Sequence, residues 1–417
     1  MTHARERVAI TGMGIISCLG NGCDQVRQSL RWGVSGIRIL PQRRALGFQS
    51  ALSGVIGNFD PKQYLTRKQR KTLPEFGIWA WAAIEQAITQ AGQGEYRADE
   101  FRGDRQTGFI FGNDSSAATA VEQVETLKAA GETRSIGSGH IFRSLTSTIT
   151  LNISTLLGIQ GMSWTISSAC ASGAMAIGQA AGLIASGQQQ RIICGGAHEI
   201  SWQSMCSFDA LGAFSRREDD PAGASRPFDR DRDGLVPGGG AAALVLESYS
   251  LAKERGATIV GEVLGYGTAT DGYHIVVPSG EGIERAMRAA LDDAGIGSQE
   301  IDLVLAHATS TPAGDEKEAQ ALCRIFPPRA HAPLVTAPKG LTGHEFWMAG
   351  ASQVIYGLLM AGDGFVAANR NLQHPDGAAA HLNLPRKNVS CHPRLLLCNA
   401  SGFGGTNAAL VIRCGPE

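Results

Sequence analysis

The chain has 417 residues, too many for one simple core, so two or three domains or one large α/β assembly are expected. Apolar residues make up 43% and charged residues 18%, with a net charge of −1, which excludes a disordered chain and a wholesale nucleic-acid binder. Nine cysteines form no C-x-x-C pair and no zinc spacing, and thiols kept reduced in a cytoplasm fit best.

The N-terminal "RERVAITGMGIISCLG" has early charge, an apolar run and an "IISC" that resembles a lipoprotein cleavage box. Glu6 spoils the charged region and glycines break the run, which favours a first strand from Val8 to Thr11 ending in a Gly12/Gly14 turn. No stretch reaches the roughly 18 apolar residues of a membrane span. Further strands are expected at "TGFIFGN", "RIICGGA", "AALVLES", "IVGEVLG", "IDLVLAHAT" and "LLLCNASG". Helices are expected over Phe76–Ala91, Ala171–Ala185, Gly282–Ala294, Glu316–Phe326 and Gly350–Met360. The alternation argues an α/β fold with largely buried sheets.

Two strings recur in the same order. "GGGAAALVLE" at Gly238 resembles "GGTNAALVIR" at Gly404, and "AGLIASG" at Ala181 resembles "YGLLMAG" at Tyr356. A duplication would divide the chain into halves of residues 1–250 and 251–417. The second match maps Ala169, beside Cys170, onto His344. If the halves pack about a pseudo-twofold axis, the cysteine and that histidine begin equivalent helices and face each other.

Chemistry concentrates in a few segments. In "TISSACASGAMAIG", from Thr165, Cys170 would sit where a buried strand turns into a helix. A helix N-terminus favours a thiolate, and Ser168, Ala169, Ala171, Ser172 and Gly173 leave room for a substrate. On this stretch alone a small buried hydrophobe is an equal reading. His307 ends an apolar strand in "LAHATSTPAGDEKEA", where ligands gather in α/β sheets, with Thr309, Ser310 and Thr311 beside it. His344 lies in "PKGLTGHEFWMAGAS", five residues after Lys339. Neither histidine shares helical spacing with a metal-binding partner. In "NASGFGGTNAALVI" glycines flank Phe403, whose N–H could face a cavity, in a turn before the last strand.

With these residues in hand, the sequence resembles the β-ketoacyl-acyl-carrier-protein synthases, the bacterial elongating type I/II enzymes above all. The likeness runs over nearly the whole chain and is specific in its combination of "SSACASGA", "HATSTPAGD", "PKGLTGH" and "GFGGTN". It implies the thiolase fold: two βαβαβαββ halves in five αβαβα layers, as a homodimer or a heterodimer with a chain-length partner. It implies Cys170 as nucleophile, His307 and His344 on the malonyl thioester carbonyl, and Lys339 and Glu318 in support. Thr309 and Thr311 would hold the 4′-phosphopantetheine arm of an acyl carrier protein. Phe403 would be the gate, its N–H pairing with that of Cys170 as an oxyanion hole. Asn113, Asp114, Ser115 and Phe208 would line the acyl pocket, made polar by "NDSS". Arg67, Lys68 and Lys71 of "LTRKQRKTL" would dock the acidic carrier. No cofactor on the enzyme, no metal, no nucleic acid and no membrane is implied. Where the family has small residues after its second histidine, this chain has Glu345, Phe346, Trp347 and Met348. That departure, with the polar pocket, motivates an aryl polyene variant. A thiolase, with Cys398 as second cysteine, and a passive chain-length subunit are further alternatives.

Overall fold

Apolar residues alternate sides along each central strand, and the two sides feed different cores. In the computed structural model, which describes residues 5–95, 98–327 and 332–415, Ile110 joins an inner core while Phe109 and Phe111 join an outer one. Leu303 and Leu305 join the same inner core, and Val304 joins a second outer one. Strands buried on both faces read in sequence as near-continuous apolar runs.

The first half runs β1 (Val8–Ile16), α1 (Glu75–Ala91), β2 (Thr107–Gly112), α2 (Thr148–Leu157), β3 (Ser163–Ile166), α3 (Ser172–Ala185), β4 (Arg191–His198) and β5 (Gly240–Ser248). The second runs β6 (Gly261–Thr270), α4 (Glu281–Ala294), β7 (Leu303–Leu305), α5 (Pro312–Ile325), β8 (Leu334–Thr336), α6 (Ala349–Gly362), β9 (Leu395–Gly402) and β10 (Thr406–Cys414). Both are βαβαβαββ. Their strand orders match, β3-β2-β4-β5-β1 and β8-β7-β9-β10-β6. The sense of each pairing matches too: the first two contacts in each order are parallel and the last two antiparallel. Val8–Ile10 pair antiparallel with Gly261–Val263, so the ten strands form one hydrogen-bonded sheet. The inner core unites α3 and α6 with strands of both halves, while α1 and α2 cover one outer face and α4 and α5 the other. These are the five layers of the thiolase fold.

The expected helices lie within a few residues of the observed ones. The recurring strings fall on β5 and β10 and on α3 and α6, equivalent elements of the two halves. Two expectations are corrected. Gly12 and Gly14 do not end the first strand, which runs on to Ile16. They admit α1: a Cβ on Gly12 would lie 2.0 Å from the Ala87 carbonyl oxygen, and one on Gly14 2.0 Å from that of Ala83. The strand before Cys170 is not buried either. Among the described residues β3 pairs only with β2, and Ser163 and Trp164 are exposed at the sheet edge.

At the centre α3 and α6 pack backbone to backbone. A Cβ on Gly350 would stand 2.5 Å from the Ala174 nitrogen, and one on Gly173 2.9 Å from the Trp347 carbonyl oxygen. Gly173 therefore serves packing and not, as its small size suggested, substrate access. Gly350→Ala should cost about 1–3 kcal/mol through overpacking. Gly182→Ala, on the exposed side of α3 with nothing within 4 Å, should be neutral or slightly stabilising. Urea midpoints of the two variants check this.

Candidate active site

The turn between β3 and α3 carries the sulfur. Ala169 has φ 47°, a left-handed conformation unusual for a residue with a Cβ. The Ser172 hydroxyl donates to the Ala169 carbonyl at 2.6 Å and accepts from the Ser168 amide at 2.9 Å. Small residues are needed here because another backbone lies on the turn. A Cβ on Gly402 would come within 2.9 Å of the Ala169 Cβ and 3.0 Å of the Cys170 nitrogen. The β9–β10 turn, and with it Phe403, is thereby set against the Cys170 amide.

The second half brings the rings. His344 stands between the short helix Lys339–Thr342 and α6, its amide donating to the Val236 carbonyl at 2.7 Å. Its Nε2 lies 3.1 Å from the Cys170 Sγ. His307 follows β7, with its ring perpendicular to that of His344 at 5.1 Å between centroids. Glu318, from α5, accepts the amides of His307 and Ala308 at 2.8 and 2.7 Å, and the Asn399 side-chain amide at 3.1 Å. One carboxylate thus ties α5, β9 and the His307 turn together. The Lys339 ammonium donates to Gln353 Oε1 at 3.1 Å, and the Gln353 amide donates to the carbonyls of Leu305 and Ala306, each at 3.0 Å. Gln353 carried no sequence motif and was not foreseen.

Burial dominates the electrostatics. It pushes the Cys170 thiol up to about 12, with Lys339 pulling down and Asp114 pushing up. That direction runs against the expected thiolate, and α3 begins only two residues later, at Ser172. Burial and the Lys339 charge hold both His307 and His344 well below the usual imidazole range. Both rings are therefore neutral, and each has an Nδ1 without a hydrogen-bond partner among the described residues. Burial lowers Lys339 itself to about 8, although Glu318 and Glu345 favour its charge. Burial raises Glu318 while its two backbone amides pull it back. Among the described residues no cluster of three His, Cys, Asp or Glu could hold a metal.

Aromatic side chains close the space that the small residues leave open. Phe346 stacks on His344 at 4.6 Å and meets Phe208 edge-on at 4.9 Å, and Phe208 stacks on Phe403 at 5.7 Å. Phe403 is 36% exposed, at the mouth. His198 escaped notice in sequence. It ends β4, is fully buried, and packs on Phe346 and Trp347 at 4.6 and 5.1 Å. On the other side Thr309 joins His307 in lining a narrow cleft with Gly280 and Asn407, and its hydroxyl lies 3.1 Å from that of Thr311. The polar segment after β2 is divided. Asn113 is fully buried and donates to the Thr146 carbonyl at 2.6 Å, Asp114 meets the Ser167 hydroxyl, and Ser115 is half-buried. Arg67, Lys68 and Lys71 are exposed on and just after a one-turn helix. Cys398 lies in the inner core at 2% exposure, outside the cluster around Cys170, so it is no second active-site cysteine.

Two family descriptions match: beta-ketoacyl synthase, N-terminal domain, over residues 5–252, and its C-terminal domain over residues 260–373. The chain belongs to the β-ketoacyl synthase family. It is 36% identical over 413 residues to 3-oxoacyl-[acyl-carrier-protein] synthase 1 of Haemophilus influenzae, covering 98% of this chain and 99% of that one. A β-ketoacyl synthase structure from Burkholderia phymatum superposes with a TM-score of 0.92 at 33% identity, covering 99% and 100% of the two chains. A type II polyketide ketosynthase, solved in complex with its acyl-carrier protein, superposes with a TM-score of 0.88 at 28% identity, covering 98% and 100%. The chain is a condensing acyltransferase of fatty-acid or polyketide elongation.

For a β-ketoacyl synthase with these groups, condensation should show no inflection near pH 6.5, because both imidazoles stay neutral throughout that range. It should fall as pH rises through about 8, where Lys339 loses its proton. Initial rates from pH 6 to 9 check this, and Lys339→Arg should move the alkaline limb beyond that range.

Proposed function

We propose that this synthase carries out a decarboxylative condensation in which Cys170 holds the acyl group and His307 and His344 stabilise the malonyl-derived enolate. The observation that carries it is the 3.1 Å contact between the Cys170 Sγ and the His344 Nε2, with the His307 ring set square to it. Cys170 attacks the acyl-carrier thioester. Its proton leaves with the carrier thiol, and a Cys170 thioester forms. Malonyl-carrier then loses CO2, and the electron pair of the broken C–C bond becomes an enolate. Two neutral imidazoles suit that step because they donate hydrogen bonds without a charge to neutralise. The carbanion attacks the acyl-Cys170 carbonyl, whose oxyanion is held by the Cys170 and Phe403 amides. Collapse expels the sulfur as a thiolate, which takes a proton from solvent, and 3-oxoacyl-carrier leaves.

The remaining assignments follow the layout. Lys339 and Glu318 support the rings, and Thr309 and Thr311 line the way for the 4′-phosphopantetheine arm of an acyl carrier protein. Asn113, Asp114, Ser115 and Phe208 border the acyl group. Arg67, Lys68 and Lys71 form the carrier dock. The half from 1 to 250 supplies the sulfur and the half from 251 to 417 both rings. The exposed edge of β3 suits pairing with a second copy of the chain, or with a chain-length partner. No helix among the described residues is long and apolar enough to cross a membrane, and a cytoplasmic enzyme using no bound cofactor is the reading we adopt. The ring cluster of Phe208, Phe346 and Trp347 favours, as a second reading, extension of aryl polyene chains.

Intact mass of the protein after mixing with acyl-carriers tests the scheme. The chain should gain one acyl group, and Cys170→Ala should gain none. A mass gain that survives this substitution overturns the assignment. Benzoyl and cinnamoyl carriers loading at least as fast as saturated long-chain ones would favour the pigment reading, and the reverse order removes it. Lys68→Glu with Lys71→Glu should raise the KM for carrier several-fold at low salt and leave kcat alone, the difference shrinking as salt screens the exposed charges. Steady-state kinetics at two salt concentrations check it.

A further inference from the structure

Glu345 is a buried carboxylate that the scheme above leaves without a task, and it lies in the chain between His344 and a strained residue. Phe346 has φ 45°, a left-handed conformation that sterics disfavour for a bulky side chain. Such a residue persists only where its surroundings over-determine it. The chain before the corner is pinned on both sides of His344: its amide donates to the Val236 carbonyl at 2.7 Å, and its carbonyl accepts from the Gly238 amide at 2.8 Å. The Met348 amide donates to the Glu345 carbonyl at 3.1 Å and closes the turn. The Glu345 side chain then ties the corner to α6. One carboxylate oxygen accepts from the Ser352 hydroxyl at 2.6 Å and the other from the Tyr356 hydroxyl at 2.7 Å. Ser352 and Tyr356 stand one turn apart on α6 and so share one face of it.

The corner matters because of where it sends the Phe346 ring. That ring stacks on His344 at 4.6 Å between centroids and 23° between planes, while His307 stands square to His344 at 5.1 Å. A working imidazole is commonly aimed by a hydrogen bond to its second nitrogen. The His344 Nδ1 has no such partner among the described residues, so packing sets the direction of the ring. We propose that Glu345 is a positioning residue: its two bonds to α6 hold the left-handed corner at Phe346, whose ring keeps the His344 Nε2 aimed at the Cys170 sulfur. Glu345 acts through Phe346 and takes no part in the bond changes. The proposal rests on the role given above to His344.

Two variants test this: Glu345→Gln, and Glu345→Leu with Tyr356→Phe. The double variant removes both partners of one buried bond and so leaves neither a charge nor the tyrosine hydroxyl unpaired, which favours folding. Ser352 keeps the Ala349 carbonyl, 3.0 Å from its hydroxyl, as an acceptor. The first readout is kcat and KM for condensation. The double variant should lose about tenfold or more in kcat, with KM for malonyl-carrier within about twofold, because aim is lost and binding is not. Glu345→Gln should stay within about threefold of the wild-type kcat, since its carbonyl oxygen still accepts from Tyr356 and its amide donates to the Ser352 oxygen. The second readout needs no substrate: crystal structures of the wild type and the double variant. In the variant the Phe346 ring should leave the His344 face, and the Nε2–Sγ separation should exceed hydrogen-bond reach. A folded double variant with wild-type kcat, or with rings and sulfur unmoved, overturns the proposal. So does Glu345→Gln as slow as the double variant, which would make the charge decisive and not the two bonds. If the double variant does not fold, Glu345→Gln with Tyr356→Phe carries the test: it should be about fivefold or more slower than Glu345→Gln, and equal rates overturn the proposal. Wild-type protein that fails to condense malonyl-carrier would instead refute the proposed function, leaving the comparison of crystal structures intact.

Discussion

The close crossing of α3 and α6 is the constraint on which the site depends. Gly173 and Gly350 let the two helix backbones approach to a distance that no side chain would permit. Each helix follows a loop that carries one of the groups placed in the proposed scheme, Cys170 in one half and His344 in the other. Bringing the helix starts together brings the sulfur within 3.1 Å of the imidazole. The second ring arrives by a different route, on the end of β7, and is held there by Glu318 and, through the β7 carbonyls, by Gln353. Duplication thus does more than enlarge the core: it opposes two unlike groups across one pseudo-axis.

That opposition takes place in a buried interior, and burial is the largest influence on the charge of Cys170, His307, His344 and Lys339. Water would hold a thiolate or an imidazolium easily; buried, both are costly. The rings stay neutral and the sulfur protonated, so the idle site carries little charge beyond Lys339 and the carboxylates around it. In the proposed scheme the negative charge that condensation creates appears only after substrate arrives, against donors already in place. Preorganisation of this kind spares the reorganisation that water would need. It also explains why so many backbone groups near the site are satisfied by side chains, at Glu318, Gln353 and Ser172: an unpaired one would be expensive here.

Much of this was legible in the chain itself, wherever a feature depends on local pattern. α4 announces itself by periodicity and α1 and α6 by long apolar runs, and the repeated strings on β5 and β10 announce the duplication. The opposition of Cys170 and His344 follows from aligning the second pair of strings, on α3 and α6. What could not be read depends on distant partners. Gly12 and Gly14 look like a turn until α1, some seventy residues later, is seen to need the space. The small residues around Cys170 look like an open pocket until Phe346 and Trp347 are seen to fill it. The exposure of β3 follows from its place at the sheet edge, which no local string records. The helix-end rule anticipated a thiolate, and burial, a property of the whole fold, overrode it.

The division of labour between the halves is the central claim, and release of CO2 from malonyl-carrier in the absence of any acyl donor measures it most directly. Rings that act on the malonyl group by themselves should leave decarboxylation running in Cys170→Ala and abolish it in His307→Ala, with both variants folded. Loss of CO2 release in Cys170→Ala, or its persistence in His307→Ala, would contradict the account.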